Sequence, residues 1–214
     1  MDISWYGQAM FKLKGKAGTA VIDPFDPQFI GLKFPKDLEA SVILSTHHHG
    51  DHSNTKVIEG HPLIIEGPGE YEAAGMTVVG IPTFHDKSEG SERGKNTVYH
   101  LFMDGLNIVH LGDLGHLLTE EQAGLIDTTV DILMVPVGGI FTIDAEEAAK
   151  VVAQLEPKIV IPMHYKLPDL KFELEGVEAF LKEMGAENLA PVPKLTITKD
   201  KLPEETTIVL LSKS

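Results

Sequence analysis

Four buried-type apolar runs in this chain end in groups able to bind a metal, and that repetition constrains the fold more than any other feature. "VILSTHHHGDH" ends in His47, His49, Asp51 and His52, "VVGIPTFH" in His85, "NIVHLGD" in Asp113 and "KIVIPMH" in His164. Strands that lie side by side in a sheet bring their ends to one edge, so these groups are expected to converge. Imidazole and carboxylate are ligands for zinc, iron or manganese.

The first cluster is the most informative. His47 and His49 are two residues apart, so in an extended segment they point the same way. Asp51 and His52 are adjacent, and adjacent side chains diverge. One short segment can therefore serve two metal ions, with His48 pointing away. Asp51 and His52 also open an expected short helix, "DHSNTKVIEG". A solvated histidine-rich loop explains neither the spacing nor the place at a strand end.

The remaining signals fit sheets covered by helices, an α/β (α+β) fold. Strands are expected at "TAVID" (19–23), "SVILST" (41–46), "PLIIEG" (62–67), "MTVVGIPTF" (76–84), "TVYHLFM" (97–103) and "LNIVHLG" (106–112). Four more are expected at "DILMVPV" (131–137), "KIVIPMH" (158–164), "KLTITK" (194–199) and "TTIVLLS" (206–212). Asp104-Gly105 is the favoured dipeptide of a two-residue hairpin turn. Thr119 with Gln122, and Asp144 with Glu147, make capping boxes ahead of "EEQAGLI" and "AEEAAKVVAQL". "FELEGVEAFLKEMG" has helical spacing and a terminal Gly185. The one soft stretch is "HDKSEGSERGKN" (85–96), expected as a polar loop. Nothing linker-like divides the chain, so a single domain over 1–214 is expected.

Composition removes several functional classes. The 214 residues contain no cysteine, which excludes disulfides, thiolate metal sites and thiol nucleophiles. The net charge of −14 argues against a nucleic-acid partner, whose phosphates attract basic side chains. No apolar run reaches the length of about 20 residues that spans a bilayer, so no membrane partner is expected. The start, "MDISWYGQAMFKLKG", lacks a basic segment followed by an apolar one, and a cytoplasmic location is expected.

His-x-His-x-Asp-His after an apolar strand resembles the signature of the metallo-β-lactamase-fold hydrolases, carried here as His47-His48-His49-Gly50-Asp51-His52. His85, Gly112-Asp113 and His164 follow in the order seen in that superfamily. The start "ISWYGQAMFKLKG…TAVIDPF" resembles its compact branch, which contains the ascorbate-6-phosphate lactonase-like proteins. The resemblance implies a four-layered αββα sandwich and two divalent ions, zinc first, with manganese or iron as alternatives. One ion would be held by His47, His49 and His85 and the other by Asp51, His52 and His164, with the Asp113 carboxylate bridging. Asp23 in "IDPF" would orient a ligand imidazole.

That resemblance implies a metal-dependent hydrolase that uses a metal-bridging hydroxide on a small-molecule ester, lactone or phosphoester. Asp51 and Asp113 would orient the nucleophile. His116 would assist the leaving group or contact substrate, and Arg93, with Lys87 and Lys95 in the same loop, would clamp an anionic substrate. The alternatives are a phosphodiesterase or nuclease of the same superfamily, or a metal-binding protein without turnover. Cysteine-ligated β-lactamases are excluded. Flavodiiron reductases carry an acidic residue where this chain has His49 and need a flavin domain for which no length is expected, and the C-terminal helical domain of glyoxalase II-type enzymes is not expected here either. His61, His100 and His110 are expected to be structural, the latter two in the arms of the Asp104-Gly105 hairpin. Gly138-Gly139 makes a turn or lets backbone approach the pocket. Some lactonase-like relatives are oligomeric, which leaves a homo-oligomer open.

Overall fold

The structure is a computed structural model and describes residues 1–126 and 129–214. The β-branched runs form two sheets. The first contains β1 (Asp2–Trp5), β2 (Phe11–Lys14), β3 (Thr19–Ile22), β4 (Val42–Ser45), β5 (Leu63–Glu66) and β12 (Leu195–Thr196), in the order β12-β1-β2-β3-β4-β5. The second contains β6 (Gly69–Ala73), β7 (Met76–Phe84), β8 (Lys95–Met103), β9 (Leu106–His110), β10 (Ile132–Pro136), β11 (Ile159–Met163) and β13 (Thr207–Ile208), in the order β13-β11-β10-β9-β8-β7-β6.

Side-chain alternation sets the layers. In β3 and β4, Ala20, Ile22, Val42 and Leu44 face the main core, while Val21 and Ile43 face a second apolar cluster on the other side. The main core joins those residues to Val78, Leu101 and Ile108 of the second sheet. The Tyr99 hydroxyl crosses between sheets, donating toward the carbonyls of Ser45 (2.9 Å) and Ile65 (3.2 Å). Outside the second sheet lie α3 (Ala145–Leu155) and α4 (Glu178–Glu183). Outside the first sheet the cover is thinner: α1 (Pro27–Ile30) and loop residues such as Leu38, Leu170 and Leu174. The expected αββα layering is met, with one light outer layer. Among the described residues no helix is long and apolar enough to cross a membrane.

Local chemistry places the elements. Both capping boxes form, at Thr119 before α2 (Glu120–Gly124) and at Asp144 before α3; each such cap stabilises its helix by about 1 kcal/mol. Asp104 (φ 53°) and Gly105 (φ 80°) make the β8–β9 hairpin with Met103 opposite Leu106. Other expectations need correction. The 194–199 and 206–212 runs yield ladders of only Leu195–Thr196 and Thr207–Ile208, each on a single partner at the edge of its sheet. The helix in 172–185 begins only at Glu178, after the break at Gly176. β6 was not anticipated: "GEYEA" has no β-branched residue and is held by antiparallel pairing to β7.

Candidate metal centre

The ladders align the ends of the ligand-bearing strands. β9, β10 and β11 are parallel, and β7 shares their direction through two antiparallel steps across β8. His85, Asp113 and His164 therefore leave the second sheet at one edge. The loop after β4 meets that edge, where Thr97 N–H donates to Thr46 O (2.9 Å).

The motif loop is not extended. After Ser45 it turns through residues 46–52, closed by His52 N–H donating to His49 O (3.0 Å). Ser45 Oγ donates to the carbonyls of His47 and His52 (both 3.1 Å). His47 and His49 thus converge through a turn, and Asp51 and His52 point into the site together rather than diverging. The short helix expected from Asp51 is reduced to one 3₁₀ turn, Thr55–Val57. Asn54 explains this: its backbone N–H goes to Pro24 O (2.8 Å) and its side-chain amide to Phe25 O (3.0 Å), tying the segment to the loop after β3.

Seven side chains form two ligand groups, His47 with His49 and His85, and Asp51 with His52, Asp113 and His164. Within each, the candidate ligand atoms lie within 4.8 Å of one another. Asp113 Oδ2 is the hub. It is 3.1 Å from Nε2 of His52, 3.1 Å from that of His85, 3.3 Å from that of His164 and 3.9 Å from that of His47. Asp51 Oδ2 is 3.3 Å from His52 Nε2 and 3.8 Å from His164 Nε2. His48 is exposed, as its position implied.

Buried neighbours fix which ring nitrogens are free. Asp23 accepts from Thr46 N–H (2.8 Å), from Thr46 Oγ1 (2.8 Å) and from His52 Nδ1 (2.9 Å). Thr46 Oγ1, having donated to Asp23, accepts from His47 Nδ1 (3.0 Å). One carboxylate therefore turns Nε2 of both His47 and His52 toward the cluster. Asp23→Asn is expected to weaken metal binding by about 10–100-fold, the usual cost of losing such a partner, measured by competitive chelator titration.

Sequence reasoning missed two further contacts on the candidate ligands and gave a third, at Gly138, only as one of two readings of its glycine pair. Asn96 Oδ1 accepts from Asp113 N–H (3.0 Å), while its amide donates to Leu111 O (2.9 Å) and Thr83 Oγ1 (2.8 Å). Gln8 is fully buried, and its amide nitrogen lies 3.2 Å from His164 Nε2. At Gly138 an added Cβ would overlap the His164 carbonyl oxygen, so the glycine lets that backbone approach the strand end. Among the signals in the sequence, only this glycine pair suggested such a contact.

The cluster separates its charges. Burial, then repulsion from His52, pushes the His47 imidazole down to about 2, and burial likewise lowers His49. His47 and His49 are thereby kept as neutral nitrogen donors. Burial opposes charge on His52 and His164, but Asp113 and Asp51 outweigh it: His52 is held well above its ordinary value and His164 at about 9. Asp51 and Asp113 are driven well below the carboxylate range despite burial, by His164 and His52. Asp113 Oδ1 is buried without a hydrogen-bond partner. Divalent cations would remove that cost, and the nitrogen and oxygen donor set suits zinc, manganese or iron.

The other expected residues are placed differently. His116 is not in the cluster. Its Nδ1 donates to Leu117 O (2.7 Å) and its Nε2 accepts from Phe84 N–H (3.2 Å), so neither nitrogen is free to protonate a leaving group or contact substrate. Lys87 pairs with Glu147 (2.6 Å), and Lys95 is exposed on a neighbouring recess. His110 is structural, as expected, and lies at the end of β9. It donates to Ala9 O (2.9 Å) and accepts from Gly112 N–H (3.1 Å), bracing the turn before Asp113.

Arg93 lines the cleft. The soft loop that carries it is built on Asp86, whose carboxylate accepts from the N–H groups of Ser88 (2.8 Å), Gly90 (2.8 Å), Glu92 (3.1 Å) and Arg93 (2.7 Å). Burial acts the other way, but these bonds hold the Asp86 carboxyl down at about 2. The cleft has a volume of about 450 Å³, with His49, Asp51, His85, Asp113 and His164 at its floor and Phe29, Phe141 and Phe172 in its walls.

Comparison with known proteins follows the same pattern. A family profile described as "Beta-lactamase superfamily domain" matches residues 2–164. The chain is 32% identical over 192 residues to a UPF0173 metal-dependent hydrolase of Thermococcus onnurineus, covering 77% of this chain and 84% of that protein. It is 32% identical over 218 residues to one of Thermoplasma acidophilum, covering 89% and 95%. A crystal structure from Thermotoga maritima, described as a proposed zinc-dependent hydrolase of the metallo-beta-lactamase superfamily, superposes with a TM-score of 0.81 at 37% identity, covering 98% of this chain and 97% of that one.

Proposed function

Because the chain belongs to the β-lactamase superfamily, we propose that it is a metal-dependent hydrolase of small-molecule esters, lactones or phosphoesters, acting through a pair of divalent ions, zinc foremost. One observation carries the reading: two ligand groups share the Asp113 carboxylate at the floor of a cleft sized for a small molecule. His47, His49 and His85 would hold one ion, Asp51, His52 and His164 the other, with Asp113 between them. Bound there, the ions supply Lewis acidity to the attacked oxygen and lower the pKa of water.

The chain's own residues do the rest. Asp51 and Asp113, both ionised, orient water and accept its hydrogen bonds. Asp23 and Thr46 keep Nε2 of His52 and His47 directed inward. In the reaction the water oxygen bonds to the acyl carbon or phosphorus and the bond to the leaving oxygen breaks. One proton passes to the leaving oxygen and the other leaves with the ionising acid product. The net charge of −14 favours a small molecule over a nucleic acid.

The test is to strip the protein with a chelator, reload it with Zn²⁺, Mn²⁺ or Fe²⁺, and assay esters, lactones, phosphomonoesters and phosphodiesters. Turnover that appears only on reloading, and is lost with metal in His49→Ala, is the expected result. Full metal occupancy with no turnover on any class would overturn the proposal in favour of metal binding alone. Turnover confined to phosphodiesters would select the phosphodiesterase reading.

A further inference from the structure

The cleft beside the candidate metal centre is walled by three phenylalanines from three separate segments. Phe29 lies on α1, Phe141 after Gly138-Gly139, and Phe172 in the loop before α4. Their rings form one chain of contacts, Phe29 to Phe172 at 6.4 Å and Phe172 to Phe141 at 5.9 Å. The Arg93 guanidinium extends that chain, 5.6 Å above the Phe141 ring.

This wall is held in place. Asp26 caps α1, its own N–H donates to Gly50 O (2.8 Å), and Lys171 N–H donates to Ile30 O (3.0 Å). Gly50 leaves room for the Phe29 ring, which an added Cβ would meet at 3.0 Å. Phe29 nevertheless stays 53% exposed. An aromatic ring fixed half in water at the mouth of a site gains by covering a ligand. The Arg93 backbone is fixed by its N–H on Asp86, and its guanidinium lies over the Phe141 ring. Among the described residues no carboxylate forms an ion pair with its guanidinium.

Resting on the hydrolase reading above, we infer that the substrate is amphipathic: it carries a bulky apolar group, of ring size, that packs on Phe29, Phe141 and Phe172, and a single negative charge that meets Arg93. Ring and charge would straddle the metal-facing floor of His49, Asp51, His85, Asp113 and His164. A volume of about 450 Å³ admits a molecule of that size.

The experiment uses metal-loaded protein and five esters followed by pH-stat: ethyl acetate, ethyl phenylacetate, monoethyl succinate, monoethyl phenylsuccinate and monobenzyl succinate. At least one ester with both ring and carboxylate should exceed monoethyl succinate in kcat/KM by about tenfold or more, the effect of burying a ring. Phe172→Ala should remove most of the ring's advantage and Arg93→Met that of the carboxylate, with metal content unchanged in both. Equal kcat/KM across the series would overturn the inference, as would variants that lower all five esters by one common factor. If none is hydrolysed, calorimetric titration with the uncut monoethyl phenylsuccinate and monoethyl succinate separates the two readings. Tighter monoethyl phenylsuccinate binding, lost in Phe172→Ala and weakened in Arg93→Met, would uphold the ligand class while the hydrolase reading failed. Equal or absent binding would overturn the inference.

Discussion

Asp113→Ala is expected to lower bound metal from about two equivalents to one or fewer, and to reduce turnover by about 10³-fold. The reason is geometric. Nε2 of His52, His85, His164 and His47 all lie 3.1–3.9 Å from one carboxylate oxygen. Without that negative charge the two ligand groups lose the bridge between them. The metal-free protein suffers as well, because His52 and His164 hold their protons largely against Asp113. Removing one partner of a buried ion pair costs about 3–5 kcal/mol. Asp113→Asn preserves volume and the N–H bond to Asn96, so it isolates charge from packing. It should lose metal nearly as fully as the alanine variant. Elemental analysis and thermal unfolding, each with and without added metal, check both statements.

Gly112→Ala should combine backbone strain with overpacking at the heart of the site. Gly112 has φ 58°, and an added Cβ would overlap Asn96 Oδ1 and lie 2.9 Å from Thr46 Cβ. The left-handed backbone costs about 1–2 kcal/mol for a non-glycine residue, and overpacking about 1–3 kcal/mol. Those costs correspond to a Tm lowered by about 5–15 °C. Because Asn96 fixes Asp113 and Thr46 fixes His47, the same methyl should displace ligands of both groups and lower metal content. Gly105→Ala is the control. It also has positive φ (80°), but an added Cβ meets nothing within 4 Å, so it should cost about the backbone strain alone and leave metal content intact.

The convergence of the seven side chains was legible because each stands at, or in the turn just after, the end of a strand whose apolar run is itself legible, and strands running in one direction bring such ends together. The turn geometry of residues 46–52 was not, since it depends on Ser45, Asn54 and the loop after β3, which are local in space but not in sequence. His116 shows the limit from the other side. It is three residues from Asp113, yet Phe84 N–H and Leu117 O occupy both its nitrogens, and proximity along the chain carries no information about either bond. The Asp86-centred loop read as soft because its order comes from one buried carboxylate and four backbone N–H groups, a pattern without periodicity. Gln8 and Asn96 are separated from His164 and Asp113 by 156 and 17 residues. The aromatic wall could not be read either, since a phenylalanine facing a cleft and one facing a core look alike in sequence.

The central claim is that seven side chains hold two ions that share Asp113. Anomalous diffraction from crystals of zinc-loaded protein, collected across the zinc absorption edge, tests it most directly. The account predicts two peaks about 3.5–4 Å apart, one among His47, His49 and His85 and one among Asp51, His52 and His164, with Asp113 between. No peak at either group, or full occupancy at one group with Asp113 unbound, would contradict it.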